Sequence, residues 1–522
     1  MEFAGLSRIQ PLSWVIMMIM LVSFIVLCRL LWSCLISPSL ANLKLKRNGF
    51  TGPSPSFPLG NISDIMGIKS KINASENGTH HDIHSRVFPY FSSWQKSFGK
   101  VFIYWLGTEP FLYVSDPKFL KNLSGQVLAK GWGKPSVFKH DRKPMFGNGL
   151  VMVEGDDWVR HRHVITPAFT PANLKAMSCL IVESATNMLD NWATQISSGN
   201  PEIDVEREIT TTAGEVIAKT SFGISYESGR LVFEKLKALQ TTLFKTNRFV
   251  GVPFSKFLCP TKTLEAKKLG QEIDTLFFSI VEARKLESKN KECRQHYDLL
   301  GLLLKESTGG ASSGRSLTTR ELVDECKTFF FGGHETTALA ITWTMLLLAM
   351  YPEWQVELRE EIKQVIGDKE VDATLLGGLK KMGWVMNEVF RLYPSAPNVQ
   401  RQARGDIKVG DQTIPNGTNV WIDVVAMHHD PTLWGDDVNE FKPQRFKDDI
   451  FGGCNHKMGF LPFGFGGRMC VGRNLSFMEY KIFLTLILSR FSFNLSPTYT
   501  HSPAIMLSLR PTQGLPILFQ PL

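Results

Sequence analysis

The stretch Phe463-Gly464-Phe465-Gly466-Gly467-Arg468-Met469-Cys470-Val471-Gly472 offers one cysteine that is framed by glycines and preceded by an arginine. The apolar segment that follows, from Leu475 to Phe491, repeats every three to four residues and predicts a helix. Cys470 therefore stands at a predicted helix N-terminus, where unpaired N–H groups and the helix dipole favour a thiolate that can bind a soft metal. The alternative is a buried structural cysteine after a glycine-rich turn.

The pattern Phe-x-x-Gly-x-Arg-x-Cys-x-Gly over residues 463–472 resembles the haem-binding signature of the cytochrome P-450 family. The resemblance implies that Cys470 is the axial thiolate ligand of haem iron, a ligand that favours cleavage of the O–O bond. It also implies that Phe463 and Arg468 belong to the haem-binding site, where Arg468 can pair with a carboxylate. The implied cofactor is haem b, iron protoporphyrin IX.

Composition and charge are those of an ordinary globular protein, with 43% apolar and 20% charged residues among 522. Lys and Arg number 58 and Asp and Glu 49, an excess of 58 − 49 = 9 that is dispersed and lacks a recognition motif, so we expect no nucleic-acid binding. An anionic membrane surface or an acidic protein partner fits this charge better. The eight cysteines show no Cys-x-x-Cys spacing, which indicates neither a zinc site nor a disulfide framework.

The N-terminal segment from Trp14 to Ile36 is almost wholly apolar, and as a helix it would be about 34 Å long, enough to cross a bilayer core. Three basic residues follow this segment, whereas Arg8 alone precedes it, so the positive-inside rule places the rest of the chain in the cytosol. We expect a single-pass anchor over residues 1–40. A basic, proline-rich hinge over 41–61 and a haem-containing monooxygenase domain over 62–522 follow it, and the resemblance implies the endoplasmic reticulum membrane.

A second distinctive segment is Phe329-Phe330-Phe331-Gly332-Gly333-His334-Glu335-Thr336-Thr337. It lies inside a predicted helix that starts at a capping box, Thr318 to Glu321, and stops before Pro352. Two interior glycines cost about 1 kcal/mol each, so we expect a compensating role in which a ligand approaches the backbone. A threonine hydroxyl that bonds to a carbonyl one turn back can hold such a groove open.

This segment resembles the oxygen-activating motif of the same family, Ala/Gly-Gly-x-Asp/Glu-Thr-Thr. The resemblance implies that Thr336 hydrogen-bonds dioxygen and that Glu335, with ordered water, delivers protons. The alternative interpretation is a kinked core helix without chemistry.

Two further motifs concern the haem propionates. Trp158 and Arg162 are four residues apart, so in a helix they present an indole N–H and a guanidinium on one face. The pair resembles the family's Trp-x-x-x-Arg motif, which binds a propionate. Arg401, ten residues after Arg391, stands where the family has another propionate-binding arginine.

Glu388 and Arg391 are three residues apart, so their charges meet on one helical face. Their apolar neighbours predict burial, and the remaining guanidinium donors predict a third partner. The resemblance implies that Arg445 completes a Glu-Arg-Arg triad that holds the cysteine-bearing region in place. Separately, residues 240–262 form an aromatic-rich break, which the resemblance assigns to a mobile region over the substrate entrance and which core packing explains as well.

Together the motifs imply the cytochrome P-450 fold, mainly α with small β-sheets (α+β), as a single large haem domain behind an N-terminal transmembrane helix. The implied reaction inserts one oxygen atom from O2 into a hydrophobic small molecule, with electrons from NADPH. Because the chain shows no Gly-x-Gly-x-x-Gly motif, we expect a separate NADPH-cytochrome P-450 reductase to supply them. Finer resemblance favours a terpenoid or a terpenoid-derived plant hormone as substrate. The alternative function is a membrane-bound haem-thiolate gas sensor or electron carrier.

Overall fold

The computed structural model describes residues 9–72, 81–127, 131–224, 226–244, 250–254, 260–289, 298–309 and 316–522. It confirms the predicted class, a mainly helical protein with small sheets. Residues 245–249 and 255–259, part of the predicted aromatic-rich break, lie outside the described residues.

The helices are α1 Ile9–Leu31, α2 Ser37–Arg47, α3 Ile62–Ile72, α4 His84–Val87, α5 Pro89–Phe98, α6 Pro117–Val127, α7 Ser136–Phe146, α8 Gly155–Ile165, α9 Pro171–Ser197, α10 Val205–Phe222, α11 Tyr226–Phe244, α12 Pro260–Lys289, α13 Leu299–Gly309, α14 Thr319–Met350, α15 Pro352–Val365, α16 Lys380–Leu392, α17 Val424–His428, α18 Pro431–Trp434 and α19 Arg473–Arg490. The strands are β1 Val101–Leu106, β2 Glu109–Val114, β3 Trp132–Gly133, β4 Glu202–Asp204, β5 Asn398–Ala403, β6 Ile407–Val409, β7 Gln412–Ile414, β8 Asn419–Asp423, β9 Phe491–Leu495, β10 Pro503–Met506, β11 Ser508–Pro511 and β12 Pro516–Pro521.

The N-terminal segment is helical from Ile9 to Arg47, because a π-helical turn, Trp32–Ile36, joins α1 to α2. In the described part of the chain it is the one helix long and apolar enough to span a membrane, and none of its most apolar window is buried against the protein. The predicted apolar helix is confirmed. It continues past residue 40, and the basic residues at 44, 46 and 47 form its last turn.

The proline-rich segment after α2 is docked on the edge of the main sheet. The N–H of Ile103 in β1 donates to the carbonyl of Thr51 at 2.8 Å, and the N–H of Asn61 donates to the carbonyl of Trp105 at 2.9 Å. These bonds satisfy backbone groups at the edge strand, which would otherwise be open to pairing with other chains. The segment therefore fixes where the N-terminal helix leaves the domain.

The main sheet has five strands in the order β1-β2-β8-β5-β3. The predicted hairpin over 101–114 is confirmed as the antiparallel pair β1 and β2, and β8 adds to β2 in parallel. Strand β5, which carries Arg401, pairs with β8 and so lies inside this sheet. Three smaller sheets are formed by β4-β12-β9, β6-β7 and β10-β11.

Helix α14 is buried along almost its whole length and joins two apolar clusters. Its start is the predicted capping box, since Thr318 and Glu321 bond reciprocally to each other's backbone N–H. Its end is Tyr351, immediately before Pro352. Residues 322–331 of the helix belong to one cluster and residues 338–349 to the other, with the glycine-containing segment between them.

Candidate active site

A cavity of about 1040 Å³ lies between α14, α19 and β5. Ligand sites in proteins are typically about 300–1,000 Å³, so this cavity has room for more than one small molecule. Its wall contains both the glycines of α14 and the thiol of Cys470. The structure therefore brings together the two segments that the sequence singled out, more than a hundred residues apart.

The cysteine loop is held open towards this cavity by backbone geometry. Gly464 and Gly466 have φ of 73° and 64°, a left-handed conformation that other residues rarely adopt. The N–H of Cys470 donates to the carbonyl of Phe463 at 3.0 Å, which closes the loop. Phe463 also lines the cavity and packs edge-on against Phe390, with ring centroids 5.2 Å apart.

Helix α19 begins at Arg473, so Cys470 precedes the helix N-terminus as predicted. The exposed part of the Cys470 side chain faces the cavity, and the cavity walls enclose the thiol. Burial raises the pKa of the Cys470 thiol, whereas the Gly472 N–H and the nearby Arg162 guanidinium act to lower it. The position alone therefore does not ionise the sulfur, and a bound metal ion would be needed to stabilise the thiolate.

Five cationic side chains line the cavity: Lys134, Arg142, Arg162, Arg401 and Arg468. The Arg142 guanidinium lies over the Phe138 ring, 4.4 Å from its centroid. Burial lowers the pKa of Arg401 and of Arg468 to about 10, and the two guanidinium groups also repel each other at Arg401. Burial and the neighbouring arginines hold the pKa of Lys134 well below its usual range. The indole of Trp158 lies under the Arg468 guanidinium, 4.8 Å from its central carbon.

These cations have little anionic compensation. Glu154 lies near enough to raise the pKa of Lys134 and Arg468, but its carboxylate is paired with Arg404 and Lys139. Arg401 is 6% exposed, its Nε has no hydrogen-bond partner, and its Nη1 donates to the neighbouring Gln400 carbonyl. Arg162 and Arg468 donate to the carbonyls of Met469 and Val153. Within the described residues no ion pair with a carboxylate is formed by Lys134, Arg162, Arg401 or Arg468.

A buried uncompensated charge costs several kcal/mol, so this cluster calls for an anionic ligand. The two carboxylates of haem satisfy that requirement, and the thiol faces the same space. The residues present therefore fit haem. Arg162, Arg401, Arg468 and Trp158 had been predicted for this role, whereas Lys134 had not, because nothing in its local sequence marks it.

The two interior glycines of α14 have different roles. Gly332 forms the predicted groove, whereas Gly333 is required by helix packing. The Thr336 hydroxyl donates to the Gly332 carbonyl at 2.9 Å, one turn back, and a Cβ at Gly332 would meet nothing within 4 Å. At Gly333 a Cβ would lie 2.4 Å from the side chain of Ile217. Gly332 thus leaves open space at the cavity, whereas Gly333 allows α10 to pack against α14.

Glu335 lies outside the wall of this cavity. Both carboxylate oxygens accept from the Gln240 side-chain amide at 2.9 Å, and one accepts from Arg510 at 3.0 Å. The residue is 1% exposed and lines a second, polar cavity of about 30 Å³, whose wall also contains Glu206 and Lys237. A cavity of that volume holds about two water molecules.

The predicted Glu-Arg-Arg triad is present, with Glu388 and Arg391 fully buried and the Arg445 side chain 11% exposed. Arg391 donates two bonds of 2.7 Å to Glu388, and the Arg445 Nε lies 3.4 Å from the same carboxylate. The remaining Arg391 donors bond to the carbonyls of His428, Val438 and Glu440. The triad therefore ties α16 to the segment that leads to the cysteine loop.

Much of the remaining cavity wall is apolar. Phe138, Phe146, Thr337, Val399 and Ile505 all line the cavity. The sequence interpretation missed Glu479 of α19, which lies in the same wall with both carboxyl oxygens unbonded. The α19 periodicity placed it on a helix, but no pattern marked it as facing a cavity.

Comparison with known proteins agrees with this arrangement. The family profile described as Cytochrome P450 matches residues 71–517. The chain is 36% identical to a Cytokinin hydroxylase of Arabidopsis thaliana over 98% of each chain. It is 35% identical to Cytochrome P450 734A1 of Arabidopsis thaliana, covering 91% of this chain and 90% of the relative. It is 34% identical to Cytochrome P450 714C2 of Oryza sativa subsp. japonica, covering 100% and 99%. Because the family profile covers most of the chain and the relatives match it almost end to end, the protein belongs to the cytochrome P450 family and is a haem b-dependent monooxygenase.

Proposed function

We propose that this monooxygenase oxidises an isoprenoid-derived small molecule, a terpenoid or a terpenoid-derived plant hormone, with electrons from NADPH through a separate reductase. The observation that carries the proposal is the single cavity that joins Cys470 to the open groove at Gly332. Family membership makes the chain an enzyme, so the sensor or electron-carrier alternative is set aside.

Cys470 is proposed as the metal ligand, because its sulfur, which lines the cavity, would bind the haem iron. Arg162, Arg401, Arg468 and Trp158, with Lys134, would hold the haem carboxylates, and Phe463 would pack beside the cofactor. When bound, haem supplies activation of dioxygen, and its thiolate ligand favours O–O cleavage. The protein itself holds the Cys470 sulfur at the cavity wall and leaves open space between that sulfur and the groove at Gly332.

The proposed catalytic residues are Thr336 and Glu335, and they occupy different faces of α14. Thr336 lines the large cavity, where its hydroxyl is fixed by the Gly332 carbonyl and its own carbonyl accepts from Ser395 at 2.9 Å. Glu335 lies at the small polar cavity, which has room for the ordered water that proton delivery requires. Arg510 and Gln240 would position its carboxylate there.

The apolar character of the lining supports a hydrophobic substrate. Phe138, Phe146, Val399 and Ile505 present aromatic and branched aliphatic surfaces to the cavity. Burial of such surface contributes about 25 cal/mol per Å² to binding, which favours a carbon skeleton with few polar groups. Relatives named Cytokinin hydroxylase add isoprenoid cytokinins to the candidates.

The exposed N-terminal helix supports a location at a membrane, which we propose to be the endoplasmic reticulum, with residues 62–522 as the catalytic domain in the cytosol. The basic turn at Lys44, Lys46 and Arg47 would lie at the anionic cytosolic surface.

The substrate proposal is tested with the full-length chain in yeast membranes that also contain a plant reductase. NADPH-dependent products are measured for gibberellin-like diterpenoids, brassinosteroids, triterpenoids and isoprenoid cytokinins. We expect at least one terpenoid to give an oxygenated product that carries label from ¹⁸O2. If none of the four classes is oxidised while the reduced protein binds carbon monoxide normally, the isoprenoid proposal is wrong.

A Thr336→Ala variant is expected to consume NADPH but to convert at least about tenfold less of it into product, because the variant lacks the hydroxyl at the groove. The measurement is product formed and hydrogen peroxide released per NADPH. Thr342→Ala is the matched control, since Thr342 makes the same bond one turn back, at 2.8 Å to Ala338, but is buried elsewhere. Full product yield in Thr336→Ala would refute the role of Thr336.

A further inference from the structure

Arg142 places a positive charge within the apolar part of the cavity wall. It belongs to helix α7, which also supplies Phe138 and Phe146 to the same wall. Its guanidinium carbon lies 4.4 Å from the centre of the Phe138 ring and 5.9 Å from the centre of the Phe244 ring, at the end of α11. The residue is half-buried. Two aromatic rings therefore hold a charge at a surface that otherwise suits a hydrocarbon.

The aromatic contacts of Arg142 are compatible with hydrogen bonds to a ligand. A guanidinium that lies over an aromatic ring contacts it through its flat face, whereas its N–H groups lie in the plane of the guanidinium and form a fork that matches a carboxylate. One arginine side chain can therefore contact a ring and bind a carboxylate at the same time. Contacts with two rings also restrict the side chain, which lowers the entropy lost when a ligand binds.

The proposed cofactor gives no reason for an arginine at this position. Haem has two carboxylates, and the four residues proposed to hold them are Lys134, Arg162, Arg401 and Arg468. Arg142 lies near enough to Lys134 to lower the pKa of that lysine, so it adds to the positive potential of the wall. Such a potential attracts anionic ligands into a cavity.

The cavity wall supplies no ionised acid of its own at neutral pH. Among the described residues that line the cavity, Glu479 is the sole acid. Burial raises the pKa of Glu479 to about 8, so its carboxyl group is neutral at pH 7. An anion that this wall binds therefore has to enter with a ligand.

We propose that Arg142 binds a carboxylate of the substrate, and that the substrate is a hydrophobic isoprenoid acid. The proposal rests on the proposed function and narrows it, because within the four classes of the substrate panel it selects the members that carry a carboxyl group. The apolar surfaces of Phe138, Phe146 and Val399 would cover the carbon skeleton. Arg142 would thus determine specificity, since it fixes one end of the substrate in the cavity.

The test measures binding and needs no turnover. Dissociation constants are determined by isothermal titration calorimetry with the purified full-length holoprotein at pH 7.5. The ligands are abietic acid and oleanolic acid, and each is compared with its methyl ester, which keeps the carbon skeleton but has no charge. We expect at least one of the acids to bind at least about tenfold more tightly than its ester, because only the acid forms a charge-assisted pair.

The test variant is Arg142→Gln, in which the acid and its ester should bind with dissociation constants within about twofold of each other. The matched control is Lys143→Gln, which removes one positive charge from the next residue of α7. Lys143 is exposed and does not line the cavity, so this variant should keep the wild-type preference for the acid. An equal loss of preference in both variants would overturn the proposal, because a general decrease in positive charge would then explain the effect.

Palmitic acid distinguishes an isoprenoid acid from a fatty acid, since it carries the same carboxylate on an unbranched chain. We expect it to bind at least about threefold more weakly than the tighter of the two isoprenoid acids, because a ring skeleton covers more of the aromatic wall. Equal or tighter binding of palmitic acid would overturn the assignment to isoprenoid acids.

Two results would overturn the carboxylate site itself. One is a wild-type protein that binds neither isoprenoid acid more tightly than its ester, and the other is a preference for the acid that persists in Arg142→Gln. If Arg142→Gln does not fold, Arg142→Lys decides. Lysine keeps the charge but lacks the planar fork, so the preference should fall by at least about threefold, and an unchanged preference would contradict the proposal.

Failure of the proposed function would give a different result. If no class of the panel is oxidised but the preference for the acid depends on Arg142, isoprenoid oxidation is refuted and the carboxylate site stands. If neutral members of the panel are oxidised and neither acid is preferred over its ester, the proposed function stands and the carboxylate site is refuted.

Discussion

A Cys470→Ser variant is expected to lose product formation by at least about a thousandfold. A serine hydroxyl stays protonated near neutral pH and donates little electron density to iron, so cleavage of the O–O bond loses its main support. The measurement is turnover of the best substrate from the panel, normalised to bound haem. Cys454→Ser is the control, because Cys454 lies outside the cavity and its thiol donates to the His456 carbonyl. Turnover in Cys470→Ser close to that of wild type would remove the basis of the proposed site.

The second large effect concerns stability. Arg391→Leu is expected to lower the free energy of unfolding by about 3–5 kcal/mol, because it leaves the fully buried Glu388 carboxylate without its bidentate partner. Denaturant unfolding followed by circular dichroism measures the change. The double variant Glu388→Leu/Arg391→Leu should recover part of the loss, since it removes both charges.

The control for this prediction is an exposed pair with helical spacing, Arg230 and Glu234, whose side chains are 59% and 58% exposed. Such pairs contribute about 0.3–0.5 kcal/mol, so Arg230→Leu should change the unfolding free energy by less than about 0.5 kcal/mol. Similar losses in Arg391→Leu and Arg230→Leu would show that the triad does not stabilise the cysteine-bearing region in the way its geometry suggests.

The features that the sequence predicted well are those fixed by the geometry of a single helix. The capping box at Thr318, the bond from Thr336 back to Gly332 and the Glu388–Arg391 pair all follow from three- or four-residue spacing. The cysteine before α19 belongs to the same class. In each case local helix geometry brings the partners together, independently of the tertiary fold.

The features that the sequence could not supply depend on how distant segments meet. Glu335 bonds to Arg510, 175 residues away, and that contact exists because β11 packs against α14. Lys134 faces Arg401 only because the segment around β3 pairs with β5. Glu479 lies on a helix that the sequence did predict, but which of its faces borders a cavity depends on the position of α14.

The role of Gly333 could not be predicted from the sequence either, because it depends on a contact with a distant helix. The sequence interpretation gave both interior glycines to the ligand groove, because each lowers helix propensity to the same extent. The structure divides the roles, since Ile217 of α10 occupies the place of a Gly333 side chain. The cost of two interior glycines in helix propensity was recognised correctly. At Gly333, however, that cost is offset by the packing of α10 against α14 and not by a ligand.

The central claim is that the sulfur of Cys470 binds the haem iron from one side of the cavity. It is tested most directly by the absorption spectrum of the purified holoprotein after reduction and exposure to carbon monoxide. The account predicts the red-shifted band that a thiolate ligand gives, present in wild type and in Cys454→Ser and absent in Cys470→Ser. A wild-type spectrum without that band, or a Cys470→Ser spectrum that retains it, would contradict the account.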